Sequence, residues 1–455
     1  MVPAVDRRTF GLAATAVLLT RLPWIGRDYG SDPDSYRVVI SARHLIRSGQ
    51  YEASRLPGYP LYEYLTALSV NAAPWLSNLI TALFSVAAFI LFALILRSLQ
   101  IPRALWLAMA FAMVPVIYLS SCCTMDYIPA LSFMLAAGYA TLRARPVLAG
   151  VLLGLAVGCR ITSGALLLPL CLWLLMSQGV RSGCKRSLEL GATTLLTAAV
   201  CYAPVYQAYG TGFFTFFDND SYPSADVIFA RALPQVWGVL GSLALLLWAC
   251  ALPVYHRYAR QALSRPPVRH MLIVCATSIL LYLVAFLRLP DEAGYLVPLV
   301  PWVLIAVGLL TPPRLVAALA FALLCSSWIG FQGLTPSLQG PIVEDARVRE
   351  SQREATVSVI DAVARLPGRA AVVSGWVLPR LMLALDGDRL GLHRFLYLIE
   401  DDEDYRGYLA DGWQIYYLPG VDLYESQAHH LDLSELGARE LQVPKERQRP
   451  ASSGE

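Results

Sequence analysis

The chain has 455 residues, 56% of them hydrophobic and 15% charged, with a formal net charge of +3. Soluble proteins carry about 25% charged residues, so a wholly soluble chain is excluded. The near-neutral balance also supplies no bulk charge to draw in nucleic acid. The nine cysteines form no CxxC pair and no Cys/His ligand spacing, and none follows Cys325. They read as small apolar fillers between helices, the vicinal Cys122 and Cys123 included.

In chain order, Asp6-Arg7-Arg8-Thr9-Phe10 imitates a twin-arginine export signal, but no small-residue cleavage site follows its apolar run. It is therefore predicted to be an uncleaved first membrane helix, 9–26, with its arginines on the cytoplasmic side. The run 76–96 holds no charge, and about 21 residues suffice to cross a bilayer core of about 30 Å as a helix. Further spans are predicted at 76–97, 103–120, 125–142, 146–159, 161–177, 188–206, 231–254, 270–287, 294–310 and 314–331. Alternating from the first, the inner loops hold Arg97 and Arg103; Arg143 and Arg145; Arg181, Lys185 and Arg186; Arg257, Arg260, Arg265 and Arg269; and Arg314. Every short inner loop is thus basic, as the positive-inside rule requires.

The fold class expected is an α-helical polytopic membrane protein of about 11 spans, 1–331, followed by a small outer-facing α/β domain, 332–455. Outside segments fall at 27–75, at 207–230 and after about 332. In the first, Val38, Val39, Ala42, Leu45 and Ile46 share one helical face, and Arg37, Ser41, His44 and Arg47 the other. That pattern predicts an amphipathic helix on the membrane surface. The stretch 61–70 is apolar but too short to span, and is placed as a half-inserted interfacial helix. In the tail, 370–374, 394–399 and 413–418 read as strands, with helices at 378–385 and 402–410. The acidic run 400–404 reads as a solvated helix start.

Three groups of residues could carry chemistry. Asp32 and Asp34, in Gly30-Ser31-Asp32-Pro33-Asp34-Ser35-Tyr36, put two carboxylates just past the first span. Asp34 suits an N-cap and Asp32 a general base. They are also the place where two carboxylates could bridge a divalent metal, although no His or Cys lies near them in sequence. Next, Ser54-Arg55-Leu56-Pro57-Gly58-Tyr59-Pro60-Leu61-Tyr62-Glu63 displays a cation, tyrosines and an acid from a rigid, non-helical segment. Finally, Asp126, Arg160, Arg288, Asp291, Glu292 and Tyr295 gather at predicted outer helix ends. Arginine suits phosphate there, because its planar fork matches phosphate oxygens.

In their order and sidedness these motifs resemble the GT-C superfamily of membrane glycosyltransferases, in the branch of protein O-mannosyltransferases and the aminoarabinose transferase of lipid A. The segment Asp32–Tyr36 is similar to the acid-to-aromatic motif of that family's first outer loop, with Pro33 where a second acid is common. The segment Arg55–Leu61 resembles its proline-rich lead into an interfacial helix. The stretches 124–126, 154–160 and 288–295 resemble its helix-end patterns. The resemblance covers roughly 9–330. It implies a cell-envelope enzyme of the plasma (inner) membrane, with a cytoplasmic amino terminus and an extracytoplasmic tail. It also implies inverting transfer of a sugar from a polyprenyl-phosphate donor to a lipid, glycan or protein acceptor. Asp32 and Asp34 would then be catalytic. Tyr36, Arg55, Tyr59, Glu63, Asp126, Arg160, Arg288, Glu292 and Tyr295 would bind substrate, and no cofactor is required. The rival expectations are a secondary transporter, or a non-catalytic lipid-binding or assembly protein. A transporter would place its charges at mid-membrane on broken helices.

Overall fold

Proline opens one apolar run after another. At the first helical position its missing N–H costs nothing, because that donor has no partner inside a helix. In this computed structural model the described residues are 7–214, 222–333, 335–385, 393–399, 402–419 and 437–443. The chain begins with α1 (Arg7–Ile25), α2 (Pro33–Ser48) and α3 (Pro60–Ala67). Then come α4 (Pro74–Ser98), α5 (Ala104–Met113), α6 (Pro115–Ser120), α7 (Tyr127–Leu142) and α8 (Pro146–Cys159). A 3-10 turn, Ile161–Leu166, leads into α9 (Leu167–Gln178) and α10 (Val180–Tyr209). After them stand α11 (Ala225–Ala232), α12 (Pro234–Ala251), α13 (His256–Leu263) and α14 (Pro266–Arg288). A second 3-10 turn, Ala293–Leu299, continues as α15 (Val300–Leu310), and α16 (Pro313–Ser326) follows. A hairpin, β1 (Gly330–Gln332) and β2 (Thr335–Ser337), precedes α17 (Pro341–Val363). The tail holds β3 (Ala370–Val373), α18 (Leu378–Leu385), β4 (His393–Leu396), α19 (Asp402–Ala410), β5 (Gln414–Tyr417) and β6 (Arg439–Glu440).

Among the described residues, six helices are long and apolar enough to cross a membrane: Pro74–Ser98, Ile161–Gln178, Val180–Phe214, Pro234–Ala251, Pro266–Arg288 and Ala293–Leu310. The apolar helices α5, α7, α8 and α16 are shorter. The protein is a helical, multi-pass membrane protein with a small sheet near its carboxy terminus.

The predicted single span 103–120 is broken at Val114. Pro115 has no N–H to donate and its ring crowds the preceding turn. The break leaves carbonyls of α5 without helical donors, and distant side chains fill in. Ser327 Oγ donates to Met113 O at 2.6 Å. Arg21, inside α1 and fully buried, donates to Ala112 O, to Val17 O at 3.0 Å and to Ser121 Oγ at 3.2 Å. Its guanidinium lies 4.3 Å from the centre of the Tyr118 ring. A charge within an apolar helix is thereby satisfied locally, so Arg21 holds the broken helix rather than a substrate.

Close packing of α8 on α10 explains the glycines before Arg160. A Cβ on Gly150 would lie 1.8 Å from Thr193 Oγ1, one on Gly154 2.4 Å from Thr197 Cβ, and one on Gly158 2.7 Å from Cys201 Sγ. Small residues four apart let two helices approach closely where lipid supplies no hydrophobic drive. Gly154→Leu should therefore destabilise the protein by about 1–3 kcal/mol or more. A thermal midpoint of the purified variant unchanged from wild type would contradict this contact.

The chain forms two compact units: Met1–Gly30 with Ser41–Arg347, and Ser31–Ile40 with Val348–Glu455. The second contains a parallel four-stranded sheet in the order β4-β3-β5-β6. Its core joins Val372, Leu381, Tyr416 and Leu418 to Val359 and Val363 of α17. Here the predicted strands appear as β3, β4 and β5, and the predicted helices as α18 and α19. Residues 400 and 401 of the acidic run lie outside the described residues, as do 215–221 of the second outer segment. In α2, Val38, Val39 and Ala42 are buried as the pattern demands. Ser41, assigned to the polar face, is buried too and donates to Glu52 O, whereas Ile46 is exposed. The inward face is rotated toward Ser41.

Candidate active site

The loop between α2 and α3 is built around a carboxylate. Glu63, one turn into α3, is fully buried. It accepts from Tyr51 Oη, from the Ser54 N–H at 2.8 Å and from the Tyr59 N–H at 3.4 Å. Burial pushes its carboxyl above the usual range, against hydrogen bonds from Ser54 and Tyr51 that pull it down. The same loop is tied to α10. Tyr202 Oη donates to Gly58 O at 3.1 Å and Tyr209 Oη accepts from the Ala53 N–H at 3.0 Å. Gly58 stands at φ +90°, and a Cβ there would meet Tyr51 Oη at 3.0 Å, so both conformation and space call for glycine.

This loop delivers Arg55 to the buried carboxylate of Asp126, which immediately precedes α7. Arg55 Nη2 lies 3.2 Å from Asp126 Oδ1, and Arg160 Nη1 lies 2.7 Å from Asp126 Oδ2. Arg160, itself buried, can turn toward Asp126 because α8 stops one residue earlier and the backbone is extended there, at φ −158°. Aromatic rings line the two cations. The Arg160 guanidinium sits 4.2 Å from the Tyr127 ring centre, 5.0 Å from that of Tyr295 and 5.7 Å from that of Tyr59. Arg55 lies 4.4 Å from the Tyr59 ring and donates through Nε to its hydroxyl at 2.9 Å. Tyr127 Oη donates to Glu292. Gly294 permits that approach, since a Cβ on it would lie 2.6 Å from Tyr127 Cζ. Two guanidiniums thus share one carboxylate, leaving one positive charge in the triad, and ring faces stabilise cations in such a setting.

The first unit therefore brings together Arg55, Tyr59, Asp126, Arg160, Glu292 and Tyr295, with Glu63 as the anchor of the loop that carries Arg55. Sequence reading passed over Tyr127, Tyr51, Tyr202 and Tyr209. Only the place of Tyr127 beside Asp126, and the seven-residue repeat of tyrosines on α10, hinted at them. Arg288 ends α14, where the neighbouring backbone is held by residues that precede α12. Tyr222 Oη donates to Leu287 O at 2.7 Å, and Arg231 Nη1 donates to Pro290 O at 2.6 Å and stands 4.0 Å from Asp291 Oδ1.

Asp32, Asp34 and Tyr36 belong to the second unit. Here the capping roles are the reverse of those predicted. α2 starts at Pro33, so Asp32 is the N-cap, and its Oδ1 accepts the Asp34 N–H at 2.8 Å. Asp34 instead pairs with Arg37 at 3.5 Å, one turn on. Proline at the first helical position moved the cap one residue upstream. Ser31 O receives Gln352 Nε2 at 3.2 Å and Arg380 Nη2 at 3.3 Å. Arg380 lies 4.7 Å from the Tyr36 ring centre.

No family model matches the chain, and no curated protein matches it in sequence. Solved structures do. It is similar to ArnT from Cupriavidus metallidurans, determined in the apo state, with a TM-score of 0.55 and 14% identity over 89% of this chain and 87% of that one. It is also similar to the arabinofuranosyltransferase AftD from Mycobacteria, with a TM-score of 0.50 and 16% identity over 82% of this chain. The chain spans only 30% of the length of AftD. The chain shares the fold of these two solved structures.

Proposed function

We propose that this protein is a membrane glycosyltransferase that moves a sugar from a polyprenyl-phosphate donor to an acceptor hydroxyl or amine at the outer membrane face, with inversion. The observation that carries the reading is the Arg55–Asp126–Arg160 triad in its sleeve of tyrosines. A preorganised pair of cations, Arg160 buried and Arg55 partly so, on a GT-C fold suits a phosphate on which negative charge grows as the glycosidic bond breaks. A lipid phosphate is a good leaving group, so positioning and charge stabilisation suffice, and no step is routed through a metal. Asp32 is the base that takes the acceptor proton, Asp34 supports it, and Tyr36, Arg288 and Glu292 complete the substrate contacts. Residues 1–331 act as the membrane domain and 332–455 as the outer domain.

Arg55→Ala and Arg160→Ala are each expected to weaken binding of a polyprenyl monophosphate to the purified protein by roughly ten- to a hundredfold. A charge-assisted hydrogen bond is worth about 1.5–3 kcal/mol. Normal affinity in both variants would remove the phosphate role. Single cysteines introduced between 340 and 385, in a chain cleared of its own, should react with an impermeant thiol reagent from the outside. Reaction only after the membrane is opened would invert the orientation.

A further inference from the structure

The face of the second unit at the carboxyl ends of its parallel strands is built, polar and aromatic. In parallel α/β sheets ligands bind beyond the carboxyl ends of the strands, where the strand order reverses. Here β3 is the middle strand from which the chain goes first to β4 and then across to β5. Beyond β3 the backbone turns at Gly375, φ +52°. The turn is pinned by the Ser374 N–H to Leu396 O and the Gly375 N–H to Tyr397 O, both at 2.8 Å. It projects Trp376 outward with 55% of its surface exposed. Tyr397, just past β4, meets that ring edge-on at 5.4 Å and 89°. The Arg37 guanidinium lies 5.2 Å from the Trp376 ring centre and 5.9 Å from that of Tyr397, and it pairs with Asp34.

A large exposed indole costs free energy in water, and this one is held by a hydrogen-bonded turn rather than carried on a loose loop. It stands among a guanidinium and a carboxylate, which disfavours acyl chains as its covering. Sugar rings match the set: their C–H faces pack on an indole, while their hydroxyls bond to guanidinium and carboxylate. We infer that Trp376, Tyr397 and Arg37 form a subsite for the sugar rings of a glycan acceptor, mounted on the same helix start that bears Asp32. The inference rests on the transferase reading, which it narrows from lipid, glycan or protein acceptors to glycans.

The test uses the full-length protein in nanodiscs, with neutral oligosaccharides of glucose, mannose and arabinofuranose as probes and saturation-transfer NMR as the readout. At least one probe should bind, Trp376→Ala should weaken it at least tenfold, and Trp376→Tyr should restore most of the loss. Binding is read with no sugar donor present, so a failure of the transferase reading leaves this result standing. The converse is also separable: sugar transfer with an unchanged acceptor KM in Trp376→Ala overturns the subsite and spares the transferase. Failure of all probes to bind overturns the subsite as well. So does strong quenching by brominated lipid of the emission lost in Trp376→Phe, which would assign this face to the membrane.

Discussion

Asp32→Asn should abolish sugar transfer, while Asp34→Asn should reduce it less. A positioned general base is worth about 10²–10⁴-fold in rate. The substitution keeps size and hydrogen bonding but removes the proton acceptor. Asp32 also caps α2 through the Asp34 N–H, and Asn caps about as well as Asp, so the variant should fold and reach the membrane in normal amount. Asp32→Ala would add a folding defect of about 1 kcal/mol and is the poorer probe. Asp34→Asn gives up its pair with Arg37, a spacing worth about 0.2–0.5 kcal/mol. The check is transfer of labelled sugar in membranes, with expression measured in parallel. Full activity in Asp32→Asn would take the base away from this residue.

The second large effect is structural. Asp126→Ala should destabilise the protein by about 3–5 kcal/mol, because removing one partner of a buried ionic group leaves uncompensated charge. Asp126 is fully buried and is the carboxylate between Arg55 and Arg160. Asp126→Asn keeps the side-chain volume and one acceptor oxygen for one of the two arginines and should lose less. Thermal unfolding in detergent reads both. A midpoint for Asp126→Ala equal to that of wild type would mean that the triad does not hold these helix ends together.

Much of this was legible because membrane helices write themselves in composition. A backbone in lipid must bond to itself, so apolar runs and basic loops carry the signal. The tail strands were legible for a similar reason: Ala370–Val373 is a short buried run of the kind a parallel sheet demands. The helix α17 was not. Its buried positions, Ile342, Ala346, Thr356, Val359 and Val363, are diluted by charges that obscure the period. The break at Pro115 was missed because hydropathy is blind to a lost N–H, and Arg21 went unremarked because its partners lie about a hundred residues away. The site divides in the same way. Arg55, Asp126, Arg160 and Glu292 could be suspected one by one as charges near helix ends. The convergence of Arg55 and Arg160 on Asp126 depends on helix packing, set in part by Gly150, Gly154 and Gly158, which a linear pattern does not encode. The exchange of capping roles between Asp32 and Asp34 turned on one proline.

A protein that moves a sugar from a lipid carrier must release that carrier as it labels the acceptor. The direct measurement incubates the purified protein in nanodiscs with polyprenyl-phosphate donors bearing radiolabelled sugars and an extract of envelope glycans. The expected result is label in the glycan fraction, released polyprenyl phosphate in equal amount, and neither with Asp32→Asn. No label transferred from any donor, together with protein-dependent uptake of a solute into sealed vesicles, would contradict the account and favour a transporter.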